Sequence, residues 1–350
     1  MNNNFEISLD RPDDWHSHLR EKDVLCAVAK YSSRVFGRCV AMPNLDQPVV
    51  NCKKALQYKK NINLYTHPDK LEVLIPCYLT DNIDKKDFLK GVQNNYFFGA
   101  KLYPLNVTTN SNNGVSNLEK IFPALEILEQ YESPLLIHAE KIGAKINIFE
   151  REKYFIDDEM HRITSRFPKL KIVLEHISSA YGANFVAQCP DNVASTITLH
   201  HLMLTKRDVF NDRTNPHNYC MPVVKNENDL ICLRKFACSG NKKFFLGTDS
   251  APHDIKYKQN TDNIKPGIFT TPIAIEMYTS IFEEEGSLDN LEKFASHNGA
   301  NFYNFPYNKD KITLIKQEWD NPEFTTYNNI KIKNFMGGQK IKWKVVDNRL

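Results

Sequence analysis

The sequence predicts an α/β fold, a (β/α)8 TIM barrel followed by a C-terminal extension. Three observations predict it: short apolar runs recur with room for a helix between them, most of the runs are continuous, and eight of them occur before residue 250. Continuous apolar runs are typical of parallel strands with both faces buried. Eight such strands alternating with helices favour a closed barrel.

The candidate strands follow one another between residues 5 and 246. In chain order they comprise Phe5-Ile7-Leu9, Arg38-Cys39-Val40-Ala41-Met42, Leu71-Val73-Ile75-Tyr78, Tyr96-Phe98-Ala100-Leu102, Pro134-Leu135-Leu136-Ile137, Leu170-Ile172-Val173-Leu174, Val193-Thr196-Thr198-Leu199 and Lys243-Phe244-Phe245-Leu246. Helical spacing of apolar residues over 118–128 and 229–239 predicts helices between strands. The alternative, an open doubly wound sheet, is disfavoured because the first strand is not followed by a Gly-x-Gly-x-x-Gly turn.

The rhythm of strands and helices stops near residue 305. Residues 319–350 are polar, with short alternating pieces at 330–332 and 341–345. We expect residues 1–350 to form a single domain, with 305–350 as an extension packed on the barrel.

Composition and charge exclude several classes of function. The net charge is +3, and basic pairs are short and isolated, so a nucleic-acid-binding surface is not expected. No apolar run approaches the roughly 20 residues of a membrane span. Residues 1–4 do not resemble a signal peptide, and the eight cysteines form no Cys-x-x-Cys pair. These features predict a cytoplasmic protein with reduced thiols that associates with neither membranes nor nucleic acid.

Polar side chains stand at the carboxyl ends of the predicted strands, where barrel enzymes carry their chemistry. In order these ends bear His16 and His18, Asn44, Thr80, Lys101, His138, His176, His200 and His201, and Asp249. On an extended segment alternate side chains share a face, so His16, His18 and Arg20 should point the same way. Histidines at four of these strand ends and an aspartate at another, all meeting at one rim, indicate a metal site.

Neutral imidazole and carboxylate ligands suit zinc, and the lack of paired cysteines favours a catalytic zinc site over a structural one. Lys101 fits this site poorly as an ammonium because a divalent cation would repel it. Two interpretations follow from its position. Its amine is carboxylated to an anionic carbamate that bridges two metals, or its side chain points outward as a surface lysine.

Six motifs, in order and at compatible spacing, carry a family resemblance. They are His16-Ser17-His18-Leu19-Arg20, Met42-Pro43-Asn44-Leu45, Lys101-Leu102-Tyr103-Pro104, Ile137-His138-Ala139-Glu140, Leu174-Glu175-His176 and Gly247-Thr248-Asp249-Ser250-Ala251-Pro252-His253. Over residues 5–305 the chain resembles the amidohydrolase superfamily and, within it, the short, stand-alone bacterial dihydroorotases. The resemblance implies a reversible cyclisation of N-carbamoyl-L-aspartate to L-dihydroorotate in pyrimidine biosynthesis.

The resemblance also implies a binuclear zinc centre. His16, His18 and Asp249 would hold one zinc ion, and His138 and His176 the other. Lys101 would bridge the two as N6-carboxylysine, together with a hydroxide. Asp249 would in addition act as general base and then general acid. The family further suggests a homodimer.

The same resemblance assigns the residues that meet the substrate. Arg20, Asn44 and His253 would clamp its carboxylate, as a guanidinium fork with amide and imidazole donors can do. Thr108 and Thr109 would form the tip of a mobile loop, and their Asn-, Ser- and Gly-rich surroundings predict a flexible polar segment. His18 and His138 would contact substrate as well as metal.

Two further substrate positions depart from the family pattern. Met221 stands where the family has a leucine whose backbone holds the pyrimidine ring, and a backbone contact tolerates that change. Pro266 stands where a small residue is expected, and proline has no N–H to donate. Either Pro266 is not the counterpart of that small residue, or one backbone hydrogen bond to the substrate is missing.

Two other functions remain open at this point. One is another cyclic amidohydrolase, of the hydantoinase or allantoinase type, for which the Arg20, Asn44 and His253 clamp would have no use. The other is a non-catalytic amidohydrolase-like assembly partner, in which metal ligands are usually lost. Here all six metal positions carry suitable side chains.

Overall fold

The computed structural model describes residues 5–66, 71–211, 213–260 and 263–346. The N-terminal tetrapeptide, where no signal peptide was expected, and the last four residues of the predicted extension lie outside this part. No helix among the described residues is long and apolar enough to cross a membrane.

The chain alternates strands with helices. The strands are β1 (Glu6–Asp10), β2 (Asp13–Ser17), β3 (Arg38–Ala41), β4 (Glu72–Leu74), β5 (Cys77–Tyr78), β6 (Ala100–Leu102), β7 (Leu135–Ile137), β8 (Ile172–Leu174), β9 (Val193–Ile197), β10 (Phe244–Leu246), β11 (Lys311–Asp320), β12 (Phe324–Tyr327), β13 (Ile330–Lys333) and β14 (Lys340–Val346). The helices are α1 (Lys22–Val35), α2 (Cys52–Asn63), α3 (Lys85–Gln93), α4 (Phe122–Gln130), α5 (Arg151–Phe155), α6 (His161–Arg166), α7 (Ala180–Gln188), α8 (Lys206–Val209), α9 (Glu227–Cys238), α10 (Ile255–Lys258), α11 (Ala274–Glu284) and α12 (Asn298–Tyr303).

Strands β2 to β10 form the predicted (β/α)8 barrel. Two parallel sheets, β2-β3-β4 and β5-β6-β7-β8-β9-β10, make up its wall. Backbone hydrogen bonds from Asp249 to His16 (2.8 Å) and from His18 to Ser250 (2.9 Å) join its first and last strands. The third strand position is split into β4 and β5 at Pro76, because proline has no N–H for the ladder. Within the described chain this gives eight strand positions.

The first predicted strand is assigned wrongly. Residues 5–9 contribute to β1, which pairs antiparallel with β11, and β11 pairs with β14, outside the barrel. The first barrel strand is β2, whose register shifts between Asp14 and Ser17. Irregularities of this kind re-aim side chains. Trp15 accordingly packs in the barrel interior against Phe245, while the adjacent His16 contacts Asp249.

The barrel interior below the functional rim is apolar. It includes one buried side chain from each of seven strands, namely Trp15, Val40, Leu74, Leu136, Val173, Ala194 and Phe245. A larger apolar layer fills the space between strands and outer helices. This packing fixes the strand ends, so polar side chains placed there are held in a rigid frame.

The C-terminal strands pack on two helices of the barrel. β14 contacts α11, where the indole N–H of the buried Trp343 donates to Glu283 (3.1 Å). The β12–β13 hairpin contacts α1, where the hydroxyls of Tyr31 and Thr325 lie 2.9 Å apart. The alternating pieces predicted at 330–332 and 341–345 are therefore strands, β13 and β14.

Candidate active site

Three atoms that could bind a metal ion converge where the first and last barrel strands meet. The Nε2 atoms of His16 and His18 lie 3.4 Å apart. The Oδ1 atom of Asp249 lies 3.2 Å from the first and 3.0 Å from the second. In a tetrahedral zinc site with bonds of about 2.0–2.1 Å, neighbouring ligand atoms are about 3.3 Å apart. The three atoms therefore fit one face of a zinc coordination sphere.

A second group of side chains stands beside the first, at the ends of β7 and β8. His138 Nε2 lies 2.7 Å from a carboxylate oxygen of Glu140, which leaves its Nδ1 available. The Nδ1 atom of His176 is buried and has no hydrogen-bond partner among the described residues. The ring of His176 lies 4.7 Å from that of His138 and 4.9 Å from that of His16, between centroids. The donor set thus offers imidazole nitrogens for a second cation next to the first.

Lys101 points into this cluster and is fully buried. The outward-facing, surface interpretation of this lysine is therefore wrong. Its ammonium contacts the carboxylate of Glu175, which on its other side lies 2.9 Å from His16 Nδ1. Burial lowers the pKa of the Lys101 amine, because a charged group is poorly solvated there, and Glu175 opposes the shift.

The carboxylates of Glu175 and Asp249 make this cluster favourable for a bound cation. Burial alone would lower the pKa of His16, but Glu175 and Asp249 together raise it to about 9. Burial would raise the pKa of Asp249, yet His16 and its other imidazole neighbours hold it well below its usual range. A divalent cation among these donors satisfies the same charge balance, so the residues present fit a metal centre.

A small cavity opens above this ligand cluster, which comprises His16, His18, Lys101, His138, His176 and Asp249. Its lining includes His18, Arg20, Asn44, Tyr103, Thr108, Thr109, His138, His176, Met221, Asp249, Ala251, Pro266 and Gly267. The structure therefore brings together nearly all of the residues predicted from the sequence. His16 and Lys101 lie in the cluster beneath the cavity, and His253 contacts two of the lining residues, Arg20 and Pro266.

Arg20 reaches the cavity from a loop and not from a strand. β2 ends at Ser17, and Arg20 has a left-handed backbone conformation with φ 59°, so the prediction that it shares a strand face is wrong. Its guanidinium donates to the carbonyl of Pro252 (3.3 Å) and lies 3.1 Å from His253 Nε2. Burial, with Arg20 nearby, lowers the pKa of His253 well below its usual value, which leaves this imidazole neutral.

The loop that carries Thr108 and Thr109 is folded against the cavity. The side-chain amide of Asn44 donates to the Thr109 carbonyl (3.0 Å), and that of Asn110 donates back to the Asn44 carbonyl (3.1 Å). Within the described chain, Asn44 Oδ1 and Thr109 Oγ1 are buried without hydrogen-bond partners. These two oxygens are available to a bound ligand.

Met221 and Pro266 both line the cavity, and their backbone groups differ in their hydrogen bonds. In the described residues neither the N–H nor the carbonyl of Met221 takes part in a hydrogen bond. Pro266 has no N–H, and its carbonyl lies 3.0 Å from His253 Nε2. Pro266 thus lies at the cavity, as predicted, but a donor hydrogen bond from it is excluded.

Four polar residues in and around this site were not predicted from the sequence. Glu175 and Glu140 orient His16, Lys101 and His138. The buried hydroxyl of Tyr103 lines the cavity without a partner among the described residues. The remaining one is Asp14, which accepts hydrogen bonds from the backbone and side chain of Thr248. The motifs Leu174-Glu175-His176 and His138-Ala139-Glu140 contained a signal, since a carboxylate next to a metal-ligating histidine is a common orienting partner.

His200 and His201 stand at the end of β9 but contribute differently. His201 is held between the hydroxyl of Thr198 (2.7 Å) and the carbonyl of Pro222 (3.0 Å). Both ring nitrogens of His200 are buried and unpartnered within the described chain, and burial lowers its pKa to about 4. Neither belongs to the ligand triangle of His16, His18 and Asp249.

Comparison with known proteins identifies relatives along the whole chain. No family model matches it. The chain is 42% identical to the dihydroorotase of Aliivibrio salmonicida (strain LFI1238) over 339 residues, which cover 97% of this chain and 99% of that protein. The crystal structure of the dihydroorotase from Saccharomyces cerevisiae in complex with 5-fluoroorotic acid superposes with a TM-score of 0.92 at 32% identity, covering 99% of this chain and 100% of that one.

A more distant structure shares the fold. The L-hydantoinase of Arthrobacter aurescens superposes with a TM-score of 0.79 at 14% identity, covering 97% of this chain and 82% of that one. At this identity the likeness concerns the barrel and not the substrate.

Proposed function

The chain belongs to the dihydroorotase family, and from this premise we propose how its own residues catalyse the reversible cyclisation of N-carbamoyl-L-aspartate to L-dihydroorotate. The activity is that of a hydrolase acting on a cyclic amide bond, in the synthesis of pyrimidines and hence of UMP. One observation carries the assignment of the site. The same cavity is lined by four residues of the ligand cluster and by Arg20 and Asn44 of the predicted clamp, and His253 contacts its wall.

We assign two zinc ions to the ligand cluster. His16, His18 and Asp249 would hold one, and His138 and His176 the other, with Lys101 between them as N6-carboxylysine. When bound, the ions would supply Lewis acidity, which lowers the pKa of the attacking water and polarises the amide carbonyl. The spacing of the ligand triangle and the burial of Lys101 within the cluster support this assignment. A carboxylated Lys101 keeps one N–H at Nζ, which can still donate to Glu175.

Asp249 is the residue placed to move the proton. Its carboxylate touches both His16 and His18 and also lines the cavity. In ring opening, it would accept a proton from the attacking water and pass it to the leaving amide nitrogen. In ring closure the transfers run in reverse, as general acid–base catalysis at one group requires.

Arg20, Asn44 and His253 would bind the substrate carboxylate. The guanidinium carries five N–H donors, more than its contacts with Pro252 and His253 use. Hydrogen bonds from an ionised donor to a carboxylate are short and about twice as strong as neutral ones. This clamp positions the amide over the ligand cluster.

Backbone and loop groups would hold the pyrimidine ring. The N–H and carbonyl of Met221, which lack partners among the described residues, can pair with the acceptor and donor groups of a cyclic amide, while Pro266 contributes contact only. Thr108 and Thr109 close the cavity from above and exclude water, which strengthens the electrostatic interactions inside.

The clamp also separates this activity from the alternatives. Neutral hydantoin and allantoin rings lack the carboxylate that Arg20, Asn44 and His253 would bind, so either would leave a half-buried arginine without an anion. An assembly partner without catalysis would have no need of a complete ligand cluster. We therefore propose dihydroorotate as the substrate and neither hydantoin nor allantoin.

The test is steady-state hydrolysis of dihydroorotate by the zinc-loaded protein, with hydantoin and allantoin measured in parallel. We expect turnover of dihydroorotate. For the neutral rings we expect kcat/KM to be lower by a factor of about 10³ or more, because a site built for a polar group rejects analogues that lack it. A folded protein with two zinc ions and no dihydroorotate turnover would contradict the assignment, as would an equal preference for hydantoin.

Replacing Arg20 with glutamine is expected to raise the KM for dihydroorotate about 10²-fold, with a smaller change in kcat. In the substrate complex the Arg20 guanidinium would pair with the substrate carboxylate. Losing one partner of a buried charge pair costs about 2–5 kcal/mol. Arg207→Gln, an exposed arginine in α8, is the matched control and should leave both constants unchanged. A normal KM for the R20Q enzyme would show that Arg20 does not bind the substrate carboxylate.

We further propose that the chain is a single domain, with residues 305–350 as an extension packed on the barrel, and that it works as a cytoplasmic homodimer. All eight cysteines are free, which suits a reducing compartment. Sedimentation at micromolar concentration should give twice the chain mass of 40.5 kDa. A species at 40.5 kDa would contradict the homodimer.

A further inference from the structure

Lys258 is a buried lysine beside the cavity that the proposed mechanism does not use. It is the last residue of α10 and is 3% exposed. Its ammonium donates to three backbone carbonyls, those of Tyr219 (3.0 Å), Lys265 (3.0 Å) and Gly267 (2.7 Å). An ammonium has three N–H donors, so this set of acceptors uses all of them.

The three carbonyls belong to the two backbone segments that border the ring-binding side of the cavity. Tyr219 lies two residues before Met221, and Lys265 and Gly267 flank Pro266. The segments also meet directly, because the Gly267 N–H donates to the Tyr219 carbonyl (2.9 Å). Lys258 therefore ties together the two stretches of chain that carry Met221 and Pro266.

The fit at Gly267 is tight. Its φ is +142°, and a Cβ atom there would lie 2.6 Å from the carbonyl oxygen of Ala251, another residue of the cavity lining. The segment therefore lies close against the rim and leaves no room for a side chain. A small shift of it would change the shape of the cavity, and the ammonium of Lys258 opposes such a shift.

Holding a charge here costs stability. The partners of Lys258 are carbonyl oxygens and no carboxylate among the described residues pairs with it, so its desolvation is only partly offset. Burial lowers its pKa to about 7. A buried methionine of similar length would avoid this cost but could not bind the carbonyls.

We propose that Lys258 is a positioning residue that fixes the Met221 and Pro266 segments against the ring of the substrate. This inference rests on the proposed function, because those segments meet a ring only if the cavity binds dihydroorotate. Lys258 does not touch the reacting atoms. It acts through the backbone it holds, and its effect falls on ring binding more than on the chemical step.

The test compares Lys258→Met with Lys256→Met, an exposed lysine on the same short helix. We expect K258M to raise the KM for dihydroorotate at least tenfold, to change kcat less than threefold and to keep the zinc content of the parent enzyme. K256M should match the parent in both constants. A K258M enzyme with an unchanged KM, or one whose loss lies in kcat alone, would overturn the inference.

A second variant keeps the test decisive if K258M does not fold. Lys258→Gln retains two N–H donors without the charge. It should raise the KM for dihydroorotate above that of the parent, by less than tenfold, and leave kcat unchanged. A K258Q enzyme with the parent's KM would overturn the inference. Absence of dihydroorotate turnover in the parent itself would instead refute the proposed function.

Discussion

Replacing Asp249 with asparagine is expected to lower the rate of dihydroorotate hydrolysis, and of the reverse cyclisation, by about 10³-fold or more while the barrel stays folded. An asparagine has the same shape but cannot accept and return the proton, and general acid–base catalysis contributes about 10²–10⁴-fold. The backbone hydrogen bond from residue 249 to His16 remains possible in the variant. The measurement is kcat in both directions, with circular dichroism to check the fold.

The matched control is Asp191→Asn, an exposed aspartate whose contact with Lys242 (2.6 Å) lies at the protein surface. Surface ion pairs contribute little, so this variant should differ from the parent less than twofold. A D249N enzyme with near-normal rates would refute the proton-transfer role. Zinc analysis separates that role from metal binding: retained zinc with lost turnover places the defect in the proton step.

Replacing Lys101 with alanine is expected to lower kcat by about 10³-fold, because the variant loses the group proposed to bridge both ions and stabilise charge at the reacting centre. The side chain is fully buried, so its removal leaves a space within the cluster. Acetate or propionate at millimolar concentration should restore part of the activity, since a free carboxylate can occupy that space. Activity is assayed with and without the added acid.

Lys101→Arg distinguishes a carbamate from a cation at this position. Arginine keeps the positive charge near Glu175 but is not carboxylated, so K101R should be as inactive as K101A and should not respond to acetate. A K101R enzyme that retained activity would show that a cation at residue 101 suffices. Rescue of K101A by acetate and by ammonium alike would also contradict the bridging role.

Much of the barrel could be predicted because its parallel strands are continuous apolar runs. The first strand could not, for two reasons. The segment Phe5-Glu6-Ile7-Ser8-Leu9 alternates, which is typical of a sheet with one exposed face, and all of it except Phe5 lies in β1, outside the barrel. The true first strand, β2, reads as polar. Its Asp13 is satisfied by Arg38 (2.8 Å) and its Asp14 by Thr248, and such distant partners leave no local pattern.

The residues of the candidate site also differ in whether the local sequence predicts them. Proposed ligands such as His138 and His176 were predictable because each stands at the end of an apolar run. The inward direction of Lys101 was not, since position alone allowed two orientations. Contacts between residues far apart in the chain, such as that of Glu175 with Lys101 or of Lys258 with Gly267, became visible only from the fold.

The most direct test of the account is a crystal structure of the zinc-loaded protein with dihydroorotate. We predict two anomalous zinc peaks, one beside His16, His18 and Asp249 and one beside His138 and His176, with carboxylate density extending from Lys101 Nζ between them. A single peak, with a bare Lys101 ammonium still paired to Glu175, would contradict the two-metal centre.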